Sequence, residues 1–126
     1  MNATHIVGGE IIYTLLDANQ NRYRITVQLF FDCQNGDKGA IQSDDQIIIS
    51  QWNAATSSFM GDFEISKTSS KNIRGNTSYN CVKNPGNVCV TASVYSTIRV
   101  INPGNNGVIL SWQRCCRNDK IDNINN

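Results

Sequence analysis

Polar and apolar residues alternate one by one along much of this chain, a pattern that belongs to half-buried strands and not to helices. From Arg22 to Cys33, Tyr23, Ile25, Val27, Leu29 and Phe31 fall on one side, and Arg22, Arg24, Thr26, Gln28 and Asp32 on the other. Successive side chains of a strand point to opposite faces, so period two over this length predicts an antiparallel strand with one buried face. Phe30 interrupts the pattern and is expected to pack on a second layer. Upstream, Glu10 to Leu16 is an apolar run between Gly8-Gly9 and the polar stretch Asp17 to Asn21. That five-residue break predicts a hairpin.

Gln34 to Asp45 is polar and reads as loop. Gln46 to Trp52 carries Ile47, Ile48 and Ile49 in succession, which predicts a strand buried on both faces. Ser58 to Lys67 alternates through Phe59, Phe63 and Ile65, and Thr68 to Tyr79 reads as loop or ragged edge. Val90, Ala92, Val94, Ser96, Ile98 and Val100 then alternate against Thr91, Ser93, Tyr95, Thr97 and Arg99, predicting a long strand with the first set as its apolar face. Asn102 to Gly107 has turn composition and is expected to close a hairpin onto a strand from Val108 to Arg117. No segment keeps a helical period. Short strands at this spacing predict an all-β, Ig-like or PKD-like antiparallel β-sandwich occupying residues 1–126 as a single domain.

Composition narrows the class. The formal net charge is +1 and only 17% of residues are charged, so there is no electrostatic footprint for nucleic acid. No apolar run is long enough for insertion into a membrane. The chain opens without the charged and apolar regions of a leader. It therefore reads as a mature N-terminus with Met1 supplied for expression. The tail from Lys120 to Asn126 reads as a cut between domains.

Five cysteines change the picture further: Cys33, Cys81, Cys89, Cys115 and Cys116. There is no CxxC pair, and the only histidine is His5. Adjacent Cys115 and Cys116 cannot readily share one tetrahedral ion, so disulfides in an oxidising compartment are expected, with no metal and no cofactor. Pro85-Gly86 turns the chain midway between Cys81 and Cys89, which predicts a bridge between those two. Cys33 ends a strand whose core face runs through Leu29 and Phe31. Continuing the face of Leu110 and Trp112 turns Cys116 inward, so Cys33–Cys116 is preferred to Cys33–Cys115. Cys115 is then a free thiol, or one paired outside the chain.

Chemistry beyond disulfides is thin. Ile6-Val7-Gly8-Gly9-Glu10 looks like the freed N-terminus of a chymotrypsin-like protease, but a triad needs a histidine within the fold, and His5 precedes the motif. Glu10, Asp32, Asp44, Asp45, Asp62 and Glu64 are scattered among turns and strand faces, where a glycoside hydrolase needs two carboxylates converging. Asp17 to Asn21 begins like a calcium loop but lacks its central Gly and closing Glu, so a turn is expected. Asn2 and Asn76 head glycosylation sequons of little weight in an Asn-rich chain. Trp52, Trp112, Tyr13, Tyr23, Tyr79 and Tyr95 could form a carbohydrate platform, although aromatics in alternating strands more often belong to the core. No catalytic residue is expected, and the chain is expected not to be an enzyme.

One constellation is more specific. The chain opens with Ala3-Thr-His-Ile-Val-Gly-Gly-Glu-Ile11, continues through Tyr23-Arg-Ile-Thr-Val-Gln-Leu-Phe-Phe-Asp-Cys33 and the Cys81/Cys89 loop, and reaches Leu110-Ser-Trp-Gln-Arg-Cys-Cys-Arg-Asn118 and Ile121-Asp-Asn-Ile124. Across nearly the whole chain this resembles the N-terminal region of the gliding-motility-associated, type IX-secreted, PKD-repeat-containing surface adhesins of Bacteroidetes. Phe31 before Asp32-Cys33 departs from that pattern, where a basic residue is usual. So does Val-Thr-Ala after Cys89, in place of an acidic residue. The resemblance implies an extracellular or outer-surface, non-catalytic N-terminal module. Its expected partners are the other domains of a larger parent and surface glycans or proteins. A carbohydrate-binding module is the alternative.

Overall fold

The computed structural model of the chain describes residues 6–34, 45–74 and 89–113. They contain six strands and no helix: β1 (Ile6–Asp17), β2 (Arg22–Asp32), β3 (Gln46–Asn53), β4 (Phe59–Arg74), β5 (Cys89–Val100) and β6 (Val108–Ser111). All pairings are antiparallel, in the order β1-β2-β5-β4-β3-β6. The sheet curls into a half-barrel.

The curl comes from β4. Its first half pairs with β3 through Ser66, and its second half crosses to β5 from Lys67 onward. A bulge between Lys67 and Ser69 marks the crossing, where the Thr68 hydroxyl donates to the Val94 carbonyl at 3.0 Å. A strand that changes partners at a bulge turns a corner, so the two halves of one sheet face each other across a common core. The all-β, antiparallel character expected from the sequence is present, as one continuous curled sheet.

β1 and β2 form the expected hairpin, in one register from Gly8 opposite Phe30 to Leu15 opposite Tyr23, with a shift at each end before Ile6 meets Phe31 and Asp17 meets Arg22. Asp17 Oδ1 accepts from the Asn19 and Gln20 amides at 2.9 and 3.3 Å, and Asn21 adopts φ 49°. The candidate calcium loop is an Asx turn. Ile25, Val27, Leu29 and Phe31 are buried as their alternation predicts, against Ile47, Ile49, Phe63, Ile65, Tyr95 and Ile101.

Several expectations are corrected. Ile48 is 52% exposed, so β3 buries only one face. Residues 68–74, expected as loop or ragged edge, continue β4 as a regular strand with one side free among the described residues; Ser, Thr and Asn weaken the strand signal but satisfy an edge. The face of β5 is reversed. Register places Thr91, Ser93, Tyr95, Thr97 and Arg99 opposite Phe31, Leu29, Val27, Ile25 and Tyr23, on the core side. Tyr95 is fully buried, and its ring outweighs any valine it displaces. The hydroxyls alongside are satisfied: Thr91 donates to Asn72 Oδ1 at 2.8 Å, and Ser93 lies 3.4 Å from Ser70 Oγ. Ile98 and Val100 stand outside, about half exposed.

The turn at Asn102 to Gly107 exists, with positive φ at Gly104 and Gly107 and the Gly107 amide donating to Pro103 at 2.9 Å. It does not close a hairpin. β6 pairs with β3 instead, from Val108 opposite Asn53 to Ser111 opposite Ser50. Ile101 is buried and donates its amide to Asn21, which ends β5 and carries the chain across to the other layer. The strand expected to reach Arg117 stops at Ser111; residues 114–117 lie outside the described residues.

Candidate functional site: an open seam between two edge strands

In this order β1 and β6 are the two ends of the sheet, and five antiparallel steps between them make β6 run antiparallel to β1 across the gap. No hydrogen-bonded register joins them among the described residues. Strand edges expose backbone donors and acceptors that a further strand can use. The half-barrel is thus open along one seam.

The seam is apolar. A cavity of about 360 Å³ is lined by Ile11, Tyr13 and Tyr23 on one bank and Ile101, Val108 and Leu110 on the other. Tyr13 and Tyr23 meet edge to face with ring centroids 6.5 Å apart. A second hollow continues along Ile6, Gly9, Val27 and Leu29 to Trp112. At Gly9, an added Cβ would stand 2.9 Å from Leu29 Cδ2 and 3.2 Å from the Gln28 carbonyl, so Leu29 lies across the bare backbone of β1. The opposite bank is fixed by the Trp52 indole N–H, which donates to Ser111 Oγ at 2.8 Å, and by the Ala54 amide donating to Gly107.

Register shows what is unusual here. Gly9, Ile11, Tyr13 and Leu15 are opposite Leu29, Val27, Ile25 and Tyr23, so all four lie on the core face. On β2 that face is sealed, yet Tyr13 is 71% and Leu15 50% exposed. Both are core-side residues left largely uncovered among the described residues. The outer face of β1 adds Ile12 and Leu16, also exposed.

The disulfide joins Cys33 to Cys89, with Cα atoms 5.3 Å apart and the Cys33 amide donating to the Cys89 carbonyl. Both expected pairings are overturned, because Cys33 is not bonded to Cys116 nor Cys89 to Cys81. The reason is register: β2 and β5 are neighbours, and Asp32 opposite Val90 brings the next two positions together. Cys81, Cys115 and Cys116 lie outside the described residues, as do His5, Asp44, Tyr79 and both sequons.

The other singled-out residues do not converge. Glu10, Asp62 and Glu64 are exposed on outer faces, and Asp32 accepts from the Gln34 amide. Asp45 meets Lys67 at 3.5 Å beside Glu64, in a shallow hollow. Among the described residues, no three His, Cys, Asp or Glu side chains are grouped to hold a metal. No described helix is long and apolar enough to cross a membrane. The aromatics separate: Tyr95 is core, Trp112 packs against it, Tyr13 and Tyr23 line the seam, and Trp52 meets Phe59 at 5.3 Å on the outer face of β3 and β4. The seam itself was not anticipated. Its signal was in β1, where apolar residues occupy both faces and break the alternation that β2 keeps.

No protein-family model, no curated protein and no solved structure matches this chain.

Proposed function

We propose that the chain is a non-catalytic module of a secreted or outer-surface bacterial adhesin of the gliding-motility type, and that its seam is where other chains attach. In this reading the half-barrel is an Ig-like or PKD-like unit whose two layers share β4. It sits ahead of the other domains of its parent and contacts surface proteins or glycans, without nucleic acid, membrane insertion, metal or cofactor. The observation that carries the reading is the exposure of Tyr13 and Leu15 on the core side of an edge strand that is paired on one side only among the described residues. Exposed contiguous apolar surface of this kind marks interaction sites, and the Cys33–Cys89 bridge suits an oxidising environment.

The test is adhesion of beads carrying the chain to protein-coated and glycan-coated surfaces. Wild type should adhere to the protein-coated surface, and Tyr13→Arg with Leu15→Arg should abolish this; equal adhesion contradicts the reading. The second reading, a carbohydrate-binding module, draws on the Trp52–Phe59 pair, in which Phe59 is 57% exposed. Saturable glycan-array binding lost in Phe59→Ala would establish it instead. Turnover of a fluorogenic glycoside or peptide by the purified chain would end the non-catalytic reading.

A further inference from the structure

Resting on the seam as an attachment site, we infer that one occupant is a second copy of this chain, joined edge to edge through antiparallel β1 strands about a two-fold axis at Ile12. The β1 edge is complementary to itself in shape and charge. A two-fold interface presents one patch to itself, so every residue must find its match within the same strand.

Pairing centred on Ile12 sets each position against the one equally far on the other side. On the core face, Ile11 then meets Tyr13 of the second copy, and Gly9 meets Leu15. Leu15 is half exposed, and Gly9 is the one core-face position of β1 between Ile6 and Leu15 with no side chain. A large side chain without cover is matched to a bare backbone, with the Leu29 methyl lying across that backbone to receive it. The match occurs twice, once on each side of the axis. On the outer face, Ile12 meets Ile12.

Charge selects the same register. On the outer face, Thr14 is opposite Arg24, which is opposite Ile98, whereas Glu10 is opposite Gln28, which is opposite Val94. Glu10 and Arg24 are both exposed and form no ion pair among the described residues. Centring on Ile12 sets Glu10 of the second copy against Thr14, in the row of Arg24. Neighbouring strands are about 4.8 Å apart, so the carboxylate and guanidinium stems start roughly 10 Å apart with only a short threonine between them. Long side chains on one face span that interval. Each copy supplies one acid and one base, giving two reciprocal pairs. A shift of centre to Tyr13 sets Glu10 against Leu16 and stacks Tyr13 on itself, losing both matches.

The experiment is sedimentation velocity on the oxidised full chain over a wide concentration range, with circular dichroism to establish that each variant is folded. Wild type should pass from 14.0 kDa to twice that mass as concentration rises. Glu10→Arg and Arg24→Glu should each weaken dimerisation by roughly tenfold, since like charges then face each other across the axis. The double variant should return to within about threefold of wild type, because each pair is restored in reverse. Ile12→Cys should cross-link to itself on oxidation, since residues on the axis are the only ones that face their own copies; Thr14→Cys should not. A chain monomeric at millimolar concentration overturns the inference. A dimer indifferent to both charge reversals, or one cross-linked through Thr14→Cys, overturns it too. Adhesion of monomeric beads lost through Tyr13→Arg with Leu15→Arg would leave the attachment reading standing without it.

Discussion

Along the second half of β4, the side away from β5 has no partner strand among the described residues, and the side of β1 away from β2 is equally bare. The two edges are made of different chemistry. Residues 67–72 of β4 read Lys-Thr-Ser-Ser-Lys-Asn, with Ile73 the one exposed apolar side chain of that half. Those of β1 read Ile-Val-Gly-Gly-Glu-Ile-Ile-Tyr-Thr-Leu-Leu-Asp, with Val7, Ile12, Tyr13, Leu15 and Leu16 exposed. Lysines on an edge discourage another strand from adding, because pairing would strip water from their charge. Nothing comparable guards β1. The polar edge is also held by side-chain bonds to β5, through Asn72, Ser70 and Thr68. On β1, Tyr13 meets Tyr23 within the hairpin, while Ile12, Leu15 and Leu16 stay exposed.

This contrast can be broken from either side. The largest effect is expected at the disulfide. Cys33–Cys89 closes a loop with a sequence separation of 56 residues that contains β3 and β4. Replacing both cysteines by serine should lower stability by about 4 kcal/mol in the chain-entropy account, measured by urea unfolding. A loss below about 1 kcal/mol would show that the β4 side does not depend on this tether.

Gly9→Val comes next. A branched side chain there meets Leu29 and the Gln28 carbonyl, so β1 must lift from β2, at a cost of about 2–3 kcal/mol. Gly8→Ala is the control: its Cβ finds only Phe30, at an ordinary 3.8 Å, and should cost less than about 1 kcal/mol. Equal losses at the two glycines would place the close approach elsewhere.

The period-two strands β2 and β5 were legible in the sequence, and so was the first hairpin, because Asp17 to Asn21 can hardly be anything but a turn. The core face of β5 was not. Counting apolar residues favours the valines, yet burial follows area, and one Tyr95 ring with two satisfied hydroxyls prevails. The path after Asn102 was equally hidden, since a turn fixes the direction of the chain and not which strand receives it. Register between β2 and β5 decided the disulfide, and spacing between cysteines carries no information on register. The seam lay in the irregularity of Ile11, Ile12, Tyr13, Leu15 and Leu16, whose meaning depends on knowing that β1 is an edge.

A smaller effect sits at the corner. Arg99 lies over the Phe63 ring at 4.4 Å from its centroid, closing the place where β4 leaves β5. Arg99→Ala should cost about 1 kcal/mol by urea unfolding, with Arg99→Lys recovering part of it. An unchanged midpoint would remove the corner from the account. Smaller still, Lys71→Ile with Ser69→Val should leave monomer stability within about 0.5 kcal/mol while creating association at an edge now as apolar as β1. Sedimentation velocity reads that change directly, and a variant no more associated than wild type would deny that the lysines guard the edge.

Attachment at β1, as proposed, requires one difference: that β1 receives a partner strand and 67–74 does not. Amide hydrogen exchange of the oxidised chain at low and high protein concentration measures it residue by residue. The predicted result is slower exchange within Gly9 to Leu15 as concentration rises, with rates across 67–74 unchanged. Slowing at 67–74, or no concentration dependence in β1, would contradict it.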